Sequence, residues 1–587
     1  MQRRQLIIGA VLLALIGAGL WSVRVIMQRH ERTAIALTGV APVPDLNRWP
    51  AELQQRIARE STAVRDTTSP LDPLGRLAEL YWANGYGAEA EQALTALRRL
   101  DPANARWPYL AGDLRWRVGD LAGAEQAWQA SVELDPSYAP VWFRLGELRL
   151  KRGANAPARE CYVHAATADP GMIRYQYNII YFDATYGGNR EATLKQLTDL
   201  ARVHPGIKEI HELLSGMLAE RDAAGSARER RRADETELVL STEDSWLDAL
   251  YEFCFDSNRL MLRAVALRRE GRLAEAEKLL VKVVALAQQQ PANPLGWELL
   301  SDLYVKQQRP AEARATLEQA VAQFPDEPQM RLLLARFLCS EQQPEAAVKV
   351  MQQAVEHWPE RGELHAALGL AWHDAGQFDA AVKALNEGLR LDPTLTEAQY
   401  QLGLSYIELN RTSEARAALA KALAMRPDYP EAMFALAAIE LDSGDFAAAE
   451  ANVFKIYALD PEEPNARHLV ASWHLLKGMS ELKAGNLAAA EQHYRAGLAV
   501  SPDFPLLLRE SGRLAQKSGR WPDAVAAYEH YVRVKPADPA GYLSLGLALR
   551  ESGREAETIT VLQRGRTAAQ QAGDQAGVDE FSRLLGR

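Results

Sequence analysis

The sequence predicts an all-α chain, a solenoid of helix–turn–helix repeats in two blocks that follows one apolar N-terminal helix. Three observations predict it. A ladder of prolines recurs at a fixed period, a ladder of glycines or small amides runs half a period ahead of it, and apolar residues recur three or four apart between the marks.

Pro102, Pro136 and Pro170 are evenly spaced, and Pro205 follows one position late. Pro291, Pro325, Pro359, Pro393, Pro427 and Pro461 keep the same step, and Pro502 and Pro536 resume it after one longer gap. A fixed period of about 34 residues marks stacked helical units. The second ladder reads Gly85, Gly119, Gly153, Gly188, Gln308, Gln342, Gly376, Asn410, Gly444, Gly485, Gly519 and Gly553. A tight helix–helix turn often needs positive φ, which glycine and amide residues accept. Proline then stops one helix or starts the next. Each period therefore reads helix, turn, helix, break.

Between the marks, Trp142, Leu145, Gly146, Ala158, Tyr162 and Ala165 keep helical spacing, as do Leu368, Gly369, Trp372, Ala381 and Leu385. Gly146, Gly369 and Gly403 are expected where helices cross closely. Ala90, Ala124, Ala158, Ala313, Ala347, Ala381, Ala415, Ala449, Ala490 and Ala524 fall at one equivalent site in the second helix of each pair.

These residues resemble the tetratricopeptide repeat (TPR) family. The match is to its pattern of a bulky residue, Leu-Gly, an aromatic, a turn glycine, an alanine, an aromatic or leucine, an alanine and a proline, over roughly 71–204 and 256–572. The resemblance implies a right-handed superhelical solenoid whose first helices line an inner groove, and a mode of action, the holding of protein or peptide partners. It does not name the partner.

Sites two, five, nine, twelve and thirteen of each repeat point inward in that family. Carried over here, they place Trp82, Tyr109, Trp116 and Phe143 in the first groove, with Arg106, Asp113, Glu147 and Lys151 among them. The second block contributes Leu332, Leu370, Tyr400, Leu404, Ile407, Phe434, Leu441, Leu475, Met479, Leu482, Leu543 and Leu547. A contiguous apolar stripe of this kind would take an amphipathic helix or an extended peptide. The alternative is that neighbouring helices bury the stripe. Sites five and nine hold Leu332 and Arg336, Tyr400 and Leu404, or Phe434 and Ala438. This departs from the lysine, asparagine and arginine clamp that grips chaperone tails in the family, so a receptor for those tails is not expected.

The N-terminus divides into a short tail, 1–5, and an apolar segment, 6–27, read as a transmembrane signal anchor. Leu6 to Val23 is uncharged and mostly apolar, Trp21 suits an interface, and Arg24 has a stem long enough to snorkel. A cleaved signal peptide, and with it a secreted binding protein, is the competing reading, with Ala34-Ile35-Ala36 as its cleavage site. Basic residues are nearly balanced across the segment. The short tail favours the cytoplasm, which puts a single-pass chain in an inner (cytoplasmic) membrane of bacterial type with its repeats on the periplasmic side. Ala10, Ala14 and Ala18 share a helix face. Such spacing lets membrane helices pack, which leaves self-association open, although ordinary lipid-facing alanine is the plainer reading.

Residues 28–70 read as a spacer with one short helix near 51–64. The first block, 71–204, holds about four repeats. Residues 205–255 break the pattern and read as an irregular joint with a charged insertion around Arg228–Arg232. The second block, 256–572, holds about nine repeats, and 573–587 caps the stack.

A net charge of −10 over 587 residues argues against a nucleic-acid footprint. Cys161, Cys254 and Cys339 lie too far apart for a zinc or redox motif. His211-Glu212 starts like a zinc-protease helix, but Ser215 stands where the second histidine belongs. Gly541 to Gly546, around Ser544, is one residue too long for a nucleophile elbow. His357, His365 and His373 have no carboxylate pattern beside them. No catalytic, cofactor or metal site is expected, and the chain is read as no enzyme. Two classes remain: an adaptor or assembly scaffold fixed at a membrane, and a structural accessory subunit of a membrane or secretion complex.

Overall fold

The computed structural model describes residues 2–67, 69–287, 293–461 and 463–586, with side chains from Leu20 onward. The described residues form α-helices, turns and extended connections, and they divide into two compact units, Met1–Pro325 and Asp326–Arg587.

In the first unit, α1 (Gln2–Thr38) and α2 (Ala51–Asp66) precede a run of helix pairs. These are α3 (Leu71–Ala83) with α4 (Gly87–Leu100), α5 (Arg106–Arg117) with α6 (Leu121–Leu134), α7 (Ala139–Lys151) with α8 (Asn155–Ala168), and α9 (Ile173–Tyr186) with α10 (Arg190–Val203). A further pair, α11 (Lys208–Leu218) and α12 (Ala223–Glu235), leads into an extended stretch that includes the single turn α13 (Ser245–Asp248) and a 3-10 turn, Ala249–Phe253. Then come α14 (Ser257–Arg269) with α15 (Leu273–Ala287), and α16 (Leu295–Lys306) with α17 (Pro310–Gln323).

The second unit runs α18 (Pro328–Ser340), α19 (Pro344–His357), α20 (Gly362–Asp374), α21 (Phe378–Leu391), α22 (Thr396–Glu408), α23 (Thr412–Met425), α24 (Pro430–Asp442) and α25 (Phe446–Leu459). It continues with α26 (Pro464–Lys483), α27 (Leu487–Val500), α28 (Pro505–Lys517), α29 (Trp521–Val534), α30 (Pro539–Glu551), α31 (Glu555–Gln571) and α32 (Gln575–Leu585). The α26 helix is 20 residues long. Its extra length accounts for the longer gap between Pro461 and Pro502 in the proline ladder.

The two ladders are physical. Backbone φ is positive at Gly85, Gly119, Gly153, Gly376, Gly444, Gly485, Gly519 and Gly553, and equally at Gln308 (59°), Gln342 (59°) and Asn410 (57°). At Gln342 the chain closes a Schellman turn, with the Gln343 N–H donating to the Leu338 carbonyl at 2.9 Å. One rung differs: the left-handed residue is Gly187 (φ 112°), one position before the Gly188 of the ladder. The alanine ladder is the tightest part of the packing, each of its ten members being 0% exposed. A Cβ at Gly146 would stand 2.6 Å from the Tyr162 ring, and one at Gly369 would stand 2.5 Å from Leu385 Cγ. Helix pairs approach this closely only because those sites lack a side chain.

The short helix expected near 51–64 is α2, and the segments outside the repeats are packed. Residues 28–70 are no free spacer: α1 continues to Thr38, Gln92 Nε2 donates to the Thr38 carbonyl at 2.8 Å, and Leu53, Ile57 and Val64 of α2 are fully buried. The apolar periodicity of α2 is what docks it onto α3. Within 205–255, α11 and α12 pair through Ser215 and Ser226, whose side chains and carbonyls exchange hydrogen bonds of 2.9–3.0 Å. The compact units divide after Pro325, and the part of the second expected block from 256 to 325 lies in the first unit.

Among the described residues no helix is long and apolar enough to cross a membrane. The side chains of residues 6–19, most of the expected anchor, lie outside the described residues.

Candidate functional site

In the first unit one of the residues expected to face inward, Tyr109, is covered by a later stretch of the same chain. After α12 the chain turns back and runs across the first helices of the pairs in reverse order, from α9 to α3. At the α9 end, the Leu240 carbonyl accepts Arg174 Nη2 at 2.7 Å, and the Leu240 N–H donates to the Glu209 carboxylate at 3.1 Å. At the centre sits Asp244, only 6% exposed. One of its oxygens accepts the Tyr109 hydroxyl, and the other accepts the Tyr138 hydroxyl at 2.8 Å and the Leu247 N–H at 3.1 Å. Burial pushes the Asp244 carboxyl up, while Tyr109, the Arg144 guanidinium and Tyr138 pull it back. Burial likewise pushes the Tyr109 and Tyr138 hydroxyls up, and the Asp244 charge adds to it, so both remain donors.

Next comes Trp246, stacked on Tyr138 and edge-on to Tyr109, with ring centroids 3.6 and 5.4 Å apart. At the α3 end, Asn84 holds the passing backbone on both sides. Its Nδ2 donates to the Phe253 carbonyl at 2.8 Å, and its Oδ1 accepts the Phe255 N–H at 2.6 Å. Arg259 then donates to the Trp82 and Ala83 carbonyls at 3.1 and 2.7 Å.

Of the expected inward residues here, Trp82 and Tyr109 are buried, 3% and 0% exposed, the second directly beneath this segment. The Trp82 ring has Arg117 at 4.3 Å and Arg259 at 5.3 Å. Trp116 is half-buried and carries the Lys151 ammonium 4.9 Å from its ring. Phe143 packs against Tyr175 at 5.6 Å. Arg106, Asp113 and Glu147 spend their polar groups within the face, on Glu79, Arg117 and Tyr162. Sequence reasoning missed the occupant because it has no repeat period. The available signal was composition: 237–256 holds Glu237, Glu243, Asp244, Asp248, Glu252 and Asp256, four aromatic residues and no lysine or arginine.

On the inner face of the second unit, the residues singled out are buried or partly covered. Leu441 and Leu475 are buried, at 7% and 6% exposure. Leu332, Leu370, Tyr400, Leu404, Ile407, Phe434, Met479, Leu482, Leu543 and Leu547 are half-buried. Neighbouring helices cover much of each: Tyr400 lies 5.0 Å from the Tyr429 ring, and Phe434 packs against the Met433, Ile456 and Ala466 cluster. The face opens at a cavity of about 540 Å³ between α26 and α28, lined by the apolar Met479, Leu482 and Leu514, the basic Lys483, Arg513 and Lys517, and the buried Glu510, which pairs with Arg513 at 3.2 Å. Its lining joins apolar area to three basic side chains, the chemistry of a site for an apolar segment bearing acidic groups.

The other residues singled out in the sequence have structural partners. His211 is buried between Glu229 Oε2 (2.6 Å) and the Pro205 carbonyl (2.9 Å). The His365 ring contacts the Pro359 carbonyl and His373 contacts Ser405, while Ser544 donates to the Ala540 carbonyl. Cys161, Cys254 and Cys339 are free thiols.

Profiles described as "Tetratricopeptide repeat" match residues 76–136, 109–173, 267–337, 338–405, 400–464 and 509–573, together more than half of the chain. The Protein FlbA of Caulobacter vibrioides is 36% identical over 92 residues, which is 16% of this chain and 15% of that protein. The chain thus spans under a sixth of the length of this curated relative. Among solved structures, a chain of the APC/C hetero-tetramer Cut9-Hcn1 is 16% identical with a TM-score of 0.30, covering 85% of this chain and 94% of its own. A tetratricopeptide repeat protein of Parabacteroides merdae is 17% identical with a TM-score of 0.30, covering 43% of this chain and 95% of its own.

Proposed function

The chain belongs to the tetratricopeptide repeat family, and on that premise we propose that it is a membrane-anchored scaffold or adaptor that holds partner proteins on the inner face of its second unit, in the assembly or stabilisation of a protein complex. The observation that carries this reading is the cavity beside Met479 and Leu482, whose lining sets these apolar residues next to Lys483, Arg513 and Lys517. In the first unit Tyr109 is already covered by Asp244 and Trp246 of the 237–256 segment. The proposal is of a binding protein, not an enzyme.

Anchoring is supported by the described end of the apolar helix. Leu20, Trp21, Val23, Ile26 and Met27 of α1 are each more than half exposed, at 68, 68, 54, 53 and 67%. An apolar run this exposed is costly in water and at home in a bilayer. The proposed location is an inner membrane with the repeats on the extracytoplasmic side. Deleting residues 2–27 and fractionating cells tests it: the protein should leave the membrane fraction, and retention there would contradict the anchor. A fixed-stoichiometry accessory subunit is the second reading. Co-purification in detergent separates the two, because an adaptor exchanges its partner and a subunit does not.

A further inference from the structure

We propose that residues 237–256 are an internal ligand: the inner face of the first unit is a binding site for an acidic, aromatic peptide, and the chain fills it in cis. The proposal does not rest on the assignment of partners to the second unit.

The contacts are those of a bound peptide. Backbone groups are read by side chains at separated points, Arg174 on Leu240, Asn84 on Phe253 and Phe255, and Tyr138 on the Trp246 N–H at 3.0 Å. Side chains are read by charge and stacking. Asp244 enters a buried hydroxyl pair, Trp246 lies on Tyr138, and the Phe255 ring sits between Arg56 at 5.4 Å and Lys282 at 5.0 Å. Three of the other acids pair with bases: Asp248 with Arg263 (2.9 Å) and Arg272 (2.7 Å), Glu252 with Lys278 (2.6 Å), and Glu237 with Lys306 (2.6 Å). Between α12 and α14 the repeat packing needs only a connection, yet the chain spends the whole of 237–256 crossing helices it has already built. The face therefore selects for one buried carboxylate, Asp244, just ahead of a stacking indole, Trp246, with a further aromatic anchor, Phe255, downstream.

A tethered segment has an effective concentration on the order of millimolar. A free copy at micromolar level is then excluded while the cis segment is in place, and its apparent affinity recovers as the occupied fraction falls. The experiment uses the full chain in detergent, with a fluorescent synthetic peptide of residues 236–256 as probe and anisotropy as readout. One variant carries Asp244→Asn with Trp246→Ala. A second replaces residues 237–253 with a glycine–serine linker of equal length. The expected result is at least about tenfold tighter probe binding to the first variant than to the natural chain, and a rise in the Tm of the second when the probe is added. A probe bearing the same Asp244 and Trp246 substitutions should do neither. A folded first variant that leaves the probe free, a linker chain whose Tm the probe does not raise, or equal binding to the natural chain would each show that the segment is a piece of core and no ligand.

Discussion

The Trp246 indole lies flat on the Tyr138 ring, centroids 3.6 Å apart and planes within 15° of parallel. This pair pins an extended stretch to a helical face, and its loss should be felt well beyond a surface contact. Trp246→Ala is expected to cost about 2 kcal/mol, below a fully buried aromatic because Trp246 is half-buried. The drop in urea midpoint measures it. Tyr138→Phe should cost about 1–3 kcal/mol, since it strips one donor from the buried Asp244 carboxylate.

Gln308 and Gln342 sit at φ 59° with a Cβ attached. Left-handed backbone costs a non-glycine residue about 1–2 kcal/mol, offset in part by the entropy glycine loses on folding. Gln308→Gly and Gln342→Gly should therefore each raise stability, by about 1 kcal/mol or less. An unchanged or lower Tm would show that the amides do more than tolerate the turn.

His474 and His493 meet Nδ1 to Nδ1 at 3.2 Å beside Trp473. Burial, with the neighbouring His493 charge, pushes His474 down to about 4. Burial, then Lys477, lowers His493 as well. An unfolded histidine titrates near 6.5, so between about 6.5 and 4 the unfolded chain holds more protons. Stability from this pair is complete above about pH 6.5 and is lost as pH falls towards 4. His474→Phe should flatten that slope in denaturation curves taken across the range.

Met479 and Leu482 line the open cavity of the second unit, whereas Leu475 is core. Met479→Ala with Leu482→Ala should weaken partner retention about tenfold, as expected for apolar anchors. Arg513→Glu with Lys517→Glu should weaken it further and reduce its salt sensitivity. Circular dichroism should be unchanged in both variants. Leu475→Ser is a poor probe, because it would empty a packed site and lower stability outright.

The repeat architecture was legible because each rung answers a local demand: positive φ at Gly85 or Gln342, no room at Gly146, none at Ala158. Such demands recur once per period and show in one sequence. Tyr109 was singled out by its place in the repeat, but the segment that lies on it was not legible. The 237–256 segment is placed by contacts to residues more than 100 positions away, such as Tyr138 to Asp244 and Asn84 to Phe255. No local period encodes those pairings. Nor could spacing say that Tyr400 and Phe434 would be half-covered, because that depends on how closely successive first helices approach.

Site-specific photo-cross-linking in intact membranes tests the central claim most directly, with the reactive residue placed at Leu482 on the inner face of the second unit, at Trp116 in the first, and at the exposed Ile559 as control. The expected result is adducts to other proteins at Leu482 that disappear with Arg513→Glu and Lys517→Glu, and none at Trp116 or Ile559. Adducts of equal strength at Ile559 or Trp116, or none at Leu482, would contradict it.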